Sequence, residues 1–168
     1  NAPAIAAALR ALASHARLLV GMSLGGLTSF AVASRFPEQV RELVVVDVTP
    51  GVNRAKSKAI VDFVRGPEFF ESLDALLART IAHNPTRSEE SLRRGVLHNG
   101  RELPDGRWTW RYDRRFTEGA PVPEIDFGAI WEHVSRVRCP ITLLRGALSP
   151  VVGDEDVAEL LRRQPQAN

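Results

Sequence analysis

Over the first fifty positions the apolar residues switch between helical and strand periods. Ile5, Leu9 and Leu12 recur at helical spacing and predict a helix over residues 3–13. The apolar run Leu18-Leu19-Val20 predicts a buried strand over 17–21. Leu27, Phe30, Ala31 and Ser34 share one side of a second helix, 24–35. Phe36-Pro37 ends it, because proline disfavours helical backbone in the residue before it. Residues 40–46 (VRELVVV) are β-branched and nearly continuous, which suits a strand covered on both faces, as in a parallel sheet. Strand, helix and strand in about 30 residues make a βαβ unit, expected to be right-handed.

After Gly51 the pattern turns to helices and loops. Gly66-Pro67 predicts a proline at a first helical position, with Phe69, Leu73, Leu76, Leu77 and Ile81 as the helical stripe and Asn84-Pro85 as its end. Thr86 with Glu89 three residues on is a capping-box pattern for a helix closing at Asn99-Gly100. Residues 103–106 form a turn, Trp108-Thr109-Trp110-Arg111-Tyr112 alternates like a strand, and Pro121 and Pro123 mark an extended linker. Strand character returns at 140–144, followed by a loop, 146–150, and a helix, 154–163. The fold class is therefore α/β: a core in two parts, 1–51 and 131–168, interrupted by a mostly helical insertion, 52–130. About three parallel strands leave open sheet edges. With Asn1 rather than Met as first residue, the expectation is a fold truncated at both ends.

Composition narrows the function classes. The 168 residues are 44% hydrophobic and 25% charged, which fits about one globular domain and excludes a disordered chain. The Ala-rich start is broken by Arg10 and falls far short of the roughly 20 apolar residues of a membrane span, so no membrane partner is expected. Net charge is +2, and the many arginines are interleaved with acids, without the basic face or stripe of a nucleic-acid binder. One cysteine, Cys139, excludes an intrachain disulfide and fits a reducing, cytoplasmic compartment; its apolar run gives it the role of a small buried hydrophobe. His15, His83, His98 and His133 lack metal-site spacing, so no metal is expected.

The chemistry concentrates in Gly21-Met22-Ser23-Leu24-Gly25-Gly26, a G-x-S-x-G pattern between the first strand and the second helix. A nucleophile elbow needs a serine on a strained strand-to-helix turn. Gly21 and Gly25 are expected where strand and helix approach too closely for side chains. The Leu24 N–H, at the helix N-terminus, is placed to hold an oxyanion with help from the helix dipole. The same residues also fit a glycine-rich turn whose serine merely caps the helix.

In these residues and in its element order the sequence resembles the α/β-hydrolase superfamily, specifically the cap-bearing serine esterase and hydrolase branch. The resemblance covers the elbow (21–26), the next helix and strand (27–47), a helical cap (52–130), and a final strand and helix (139–163). It makes the visible strands the fifth, sixth and seventh of the usual eight. It implies a partial α/β-hydrolase fold that uses no cofactor and acts on an ester-like bond of a small molecule. Epoxide hydrolases and haloalkane dehalogenases carry Asp at the nucleophile position; Ser23 instead favours an acyl-enzyme, and a thioesterase or C–C hydrolase would use the same apparatus.

The resemblance also implies a triad acid after the seventh strand, in Gly146-Ala147-Leu148-Ser149-Pro150, where Ser149 stands in place of Asp and cannot hold an imidazolium by charge. Asp47 ends the sixth strand. Ser23 and Asp47 follow the C-terminal ends of strands expected to be neighbours, about 4.8 Å apart, on the edge where open α/β sheets bind ligands. Asp47 is the expected acid, although it also fits a loop cap. Asp154 and Asp156 are alternatives, but acids in a first helical turn serve the helix dipole on their own account. The superfamily order is Ser, acid, His, and no histidine follows His133. The general base is therefore expected beyond Asn168 and this chain is expected to be inactive alone. A non-catalytic remnant or small-molecule-binding module is the competing reading. Trp108, Trp110 and Tyr112 fit either a substrate pocket or lid packing. Arg93, Arg94, Arg111, Arg114 and Arg115 fit either attraction of anionic substrates or solvated surface charge.

Overall fold

The computed structural model describes residues 1–52, 54–113 and 126–168. Arg114, Arg115, Pro121 and Pro123 lie outside the described residues. In chain order the elements are α1 (Ala2–Leu12), β1 (Leu18–Met22), α2 (Leu24–Arg35), β2 (Glu42–Val46), α3 (Arg54–Val64), β3 (Phe69–Phe70), α4 (Leu73–His83), α5 (Glu89–Asn99), β4 (Gly100–Glu102), β5 (Trp108–Trp110), α6 (Phe127–Arg136), β6 (Ile141–Leu144) and α7 (Asp154–Arg163). They group into two units, residues 1–57 with 124–168, and residues 58–123.

The first unit is a parallel sheet in the order β1-β2-β6. Its register sets Leu19 beside Leu43 and Gly21 beside Val45 on one side, and Leu43 beside Ile141 on the other. The nearly continuous apolar run of β2 suits its central place: Leu43 and Val45 are fully buried. Phe30 and Val32 of α2, Val134 of α6 and Leu160 of α7 complete this core. Along the outer side of β6, Leu143 N–H donates to Asn168 O (2.7 Å) and Asn168 N–H to Ile141 O (3.0 Å).

The second unit has a core of Phe70, Leu76, Leu77, Leu92, Val96 and Trp110 and an antiparallel sheet in the order β3-β5-β4. It corrects two helix starts. Phe69-Phe70 pairs with Trp108-Thr109 as β3, so α4 begins at Leu73, where the Ser72 hydroxyl accepts from Ala75 N–H (3.1 Å). Thr86 does not cap α5; a turn closed by Arg87 N–H on Asn84 O (3.2 Å) precedes it, and Ser88 caps it through Ser91 N–H (3.3 Å). The second unit is also narrower than the 52–130 segment expected. The first turn of α3 belongs to the first unit, and α6, which crosses position 130, buries Val134 in the first unit's core.

Candidate active site

Met22 of β1 lies opposite Val46 of β2, so the next residues, Ser23 and Asp47, leave neighbouring strands at the same C-terminal edge. Both take left-handed φ values, 52° for Ser23 and 50° for Asp47, and no other described non-glycine residue does. The Ser23 ψ of −127° takes it outside the small left-handed helical basin, and backbone of that kind costs about 1–3 kcal/mol. The turn is pinned by Ser23 N–H on Val46 O (3.3 Å), Gly26 N–H on Ser23 O (2.8 Å) and Leu27 N–H on Ser23 O (3.2 Å). Ser23 holds the N-cap position of α2 yet makes no side-chain cap bond, unlike Ser72 and Ser88. Its side chain is exposed, and the Leu24 N–H beside it is one of the first-turn donors that an α-helix leaves without an internal partner.

The glycines are used differently from the sequence expectation. At Gly21 an added Cβ would run into Gly25 O (2.6 Å) and the Ser29 hydroxyl. That hydroxyl is buried and donates to Gly25 O (2.7 Å). Gly25, expected at a close contact, has nothing within 4 Å of a Cβ position; Gly26 is the second tight point, 2.6 Å from Val48 Cγ1 and 3.0 Å from Val45 Cγ1.

Asp47 is held at both its backbone and its side chain. Its N–H donates to Leu144 O (2.8 Å), and its Oδ1 accepts from Gly146 N–H (3.1 Å). The carboxylate thus reaches past the end of β6 to the loop where the resemblance implies the acid. Ser149 in that loop is turned to its own backbone, its Oγ accepting from Val151 N–H (3.2 Å) and Val152 N–H (3.1 Å). Asp154 is 94% exposed and pairs with Arg145 at 2.5 Å. Asp156 is 4% exposed and bound to Lys56 Nζ (2.6 Å) and Gly153 N–H (2.7 Å).

Sequence reasoning missed the role of Asp156. Its carboxylate lies so close to Gly51 that any Cβ there would collide with Oδ1, and Gly51 N–H is folded onto the fully buried Thr49 (3.1 Å to Oγ1). One carboxylate therefore ties Lys56, at the start of α3, to the head of α7 and packs against Gly51 in the loop that carries Asp47. Lys56, with Glu155 at 2.7 Å as well, has its ammonium pKa raised, chiefly by the Asp156 hydrogen bond and next by Glu155. The one hint was a lysine in a chain whose basic residues are otherwise nearly all arginine.

Within the first unit neither histidine meets Ser23. His15 is exposed in the turn before β1. His133 Nδ1 lies 2.6 Å from Ser34 Oγ, near the C-terminal end of α2, about 16 Å along the helix from Ser23 at 1.5 Å per residue. Burial first, then Arg35 and Arg136, hold its pKa below the ordinary value. In the second unit His83 stacks on Phe63 (4.3 Å between centroids) and His98 is exposed on α5.

The aromatic residues offered for a pocket pack among themselves. Trp110 is buried with Phe70 and stacks on Tyr112 at 6.1 Å, Tyr112 donates its hydroxyl to Val64 O (2.9 Å), and Trp108 packs against the same cluster. Arg93 and Arg94 pair with Asp74 and Glu90, and Arg111 donates to Gly100 O (2.8 Å). Cys139 is half-buried against the main core, and burial pushes its thiol pKa up. Among the described residues no helix is long and apolar enough to cross a membrane.

No protein-family model matches the sequence. The chain is 45% identical over 169 residues to Esterase Rv0045c of Mycobacterium tuberculosis, covering 97% of this chain and 55% of that protein. It is 26% identical to the 2-(acetamidomethylene)succinate hydrolase of Mesorhizobium japonicum, over 96% of this chain and 57% of that one. A solved structure of the M. tuberculosis esterase superposes with a TM-score of 0.85 at 42% identity, covering 99% of this chain and 58% of the other. A structure of an E-2-(acetamidomethylene)succinate hydrolase gives a TM-score of 0.84 at 25% identity, covering 99% of this chain and 61% of the other. The chain spans about half the length of the curated relatives it matches.

Proposed function

This chain belongs to the α/β-hydrolase superfamily, and we propose that the protein carrying it is a cofactor-free serine hydrolase that cleaves an ester-like bond of a small molecule through an acyl-enzyme. The observation that carries the proposal is the Ser23 turn: a strained, exposed serine at a helix head that forgoes the capping bond open to it. In this reading Ser23 Oγ attacks the substrate carbonyl and the Leu24 N–H shares the oxyanion charge. Asp47 orients a histidine supplied from outside these 168 residues, and that histidine takes the Ser23 proton and returns it to the leaving group. Water then releases the acyl group. The M. tuberculosis relative's name favours an ester over a thioester or a C–C bond. The unit of residues 58–123, inserted between β2 and β6, takes the part of a cap. Cys139, a lone half-buried thiol, suits the cytoplasm.

The test is steady-state hydrolysis of a p-nitrophenyl ester by the intact protein. Asp47→Asn should lower kcat by about 10⁴-fold, the loss seen when a triad acid can no longer orient its histidine. Asp154→Asn, which touches only an exposed ion pair, should leave turnover within a few-fold of the parent. Full activity in Asp47→Asn with loss in Asp154→Asn would move the acid to α7. No turnover by the folded parent on any ester, thioester or β-diketone would favour a binding module.

A further inference from the structure

We infer that the edge of the sheet opposite Ser23 carries a second site, one that binds a compact, multiply charged oxyanion of the pyrophosphate or tricarboxylate class. The register that brings Ser23 and Asp47 together at one end of β1 and β2 also acts at the other end. Leu18 lies opposite Glu42, so the residues before them, Arg17 and Arg41, enter the sheet side by side. The backbone confirms it: Arg41 N–H and Glu42 N–H both donate to Arg17 O, at 3.0 and 3.1 Å. Like charges directly opposite across a strand pair are destabilising. The turn closed by Ala16 N–H on Ala13 O (2.9 Å) adds His15, and the last turn of α1 adds Arg10.

These four side chains, with Glu38 and Gln39, help line a cleft of about 590 Å³, within the size range of small-ligand sites. Its charge is one-sided. Elsewhere Arg93, Arg94, Arg107, Arg145, Arg162 and Arg163 each hold a carboxylate. Among the described residues Arg10, Arg17 and Arg41 appear in no such pair, as holds for several other arginines; what sets these three apart is that they line one cleft, whose one acid, Glu38, receives the neutral Gln39 amide (3.2 Å). The three arginines that line this one concavity carry planar guanidinium forks suited to carboxylate and phosphate oxygens. An anion seated there would also remove the repulsion between Arg17 and Arg41. The β1 strand separates this cleft from Ser23 by about 16 Å, so the site is independent of the hydrolytic reading.

The test is an amide-resolved NMR titration of the intact protein with pyrophosphate and, separately, citrate, at low chloride. Saturable shifts are expected at residues 15–17 and 39–42, with Ser23 and Gly146 unmoved. Arg41→Ala should weaken binding by about tenfold, the value of one charge-assisted contact. Arg93→Ala, whose arginine already has its carboxylate, should bind as the parent does. Arg41→Glu should abolish binding while raising the melting temperature, because Arg17 then faces a carboxylate. That rise separates lost affinity from lost folding. Shifts that never saturate, shifts centred elsewhere, or an Arg41→Glu chain that binds like the parent would overturn the inference. So would tight binding of a 20-nucleotide single strand without response to pyrophosphate, which would make the cleft a nucleic-acid contact.

Discussion

At the scale of single residues, a serine heading a helix normally spends its hydroxyl on a first-turn N–H. Ser72 and Ser88 do so, and Ser23, in the same position on α2, does not. The motif spacing made Ser23 legible, whereas its strain depended on the register of β1 with β2. The glycines were half legible. The pattern G-x-S-x-G draws the eye to Gly25, but each helical residue turns the chain about 100°, and it is Gly26 that faces Val45 and Val48. His133 was invisible as a partner of Ser34, since 99 residues separate them. Its depressed pKa makes a pH prediction. The unfolded imidazole takes up a proton near its ordinary 6.5, before the native one does. Stability is therefore full above that value and falls as pH drops through it toward the lower native pKa. Denaturant midpoints between pH 7.5 and 5.5 should show this decline, and His133→Gln should flatten it.

At the scale of elements, α2 and α7 were readable to the residue because their apolar stripes run uninterrupted between clear stops. The antiparallel sheet of the second unit was readable only in β5, from the alternation at 108–112. β3 and β4, of two and three residues, are too short to show a period, and Phe69-Phe70 joined the apparent stripe of α4 until pairing with β5 claimed it. Two helices, α3 and α6, also escaped, α3 because its sequence RAKSKAIVDFV is polar over its first half. The tie between α3 and α7 is likewise an element-scale feature, invisible in sequence because Lys56 and Asp156 are 100 residues apart. Asp156→Asn should cost about 2–3 kcal/mol in denaturant unfolding. That is less than the roughly 3–5 kcal/mol of a fully buried pair, because Lys56 keeps 19% of its side chain exposed. It should also shift the Gly146 amide resonance, since Asp156 packs against Gly51 in the loop whose Asp47 accepts from Gly146 N–H. An unchanged Gly146 signal would reduce Asp156 to a stabilising contact only.

At the scale of the molecule, the parallel core and its interruption were legible because strands and helices alternate in one period after another. The proposed catalytic set was legible only in part. Ser23 and Asp47 belong to adjacent strand ends that a βαβ reading already places side by side, while a general base obeys no local pattern and, within the first unit, neither His15 nor His133 meets Ser23. The relatives, nearly twice as long, share this segment throughout. Whether Ser23 is an activated nucleophile is tested by peptide mapping of the intact protein after reaction with a fluorophosphonate probe. A single adduct is expected on Ser23, absent from Ser23→Ala. A folded protein that takes no adduct, or takes it on Ser34 beside His133, would contradict it.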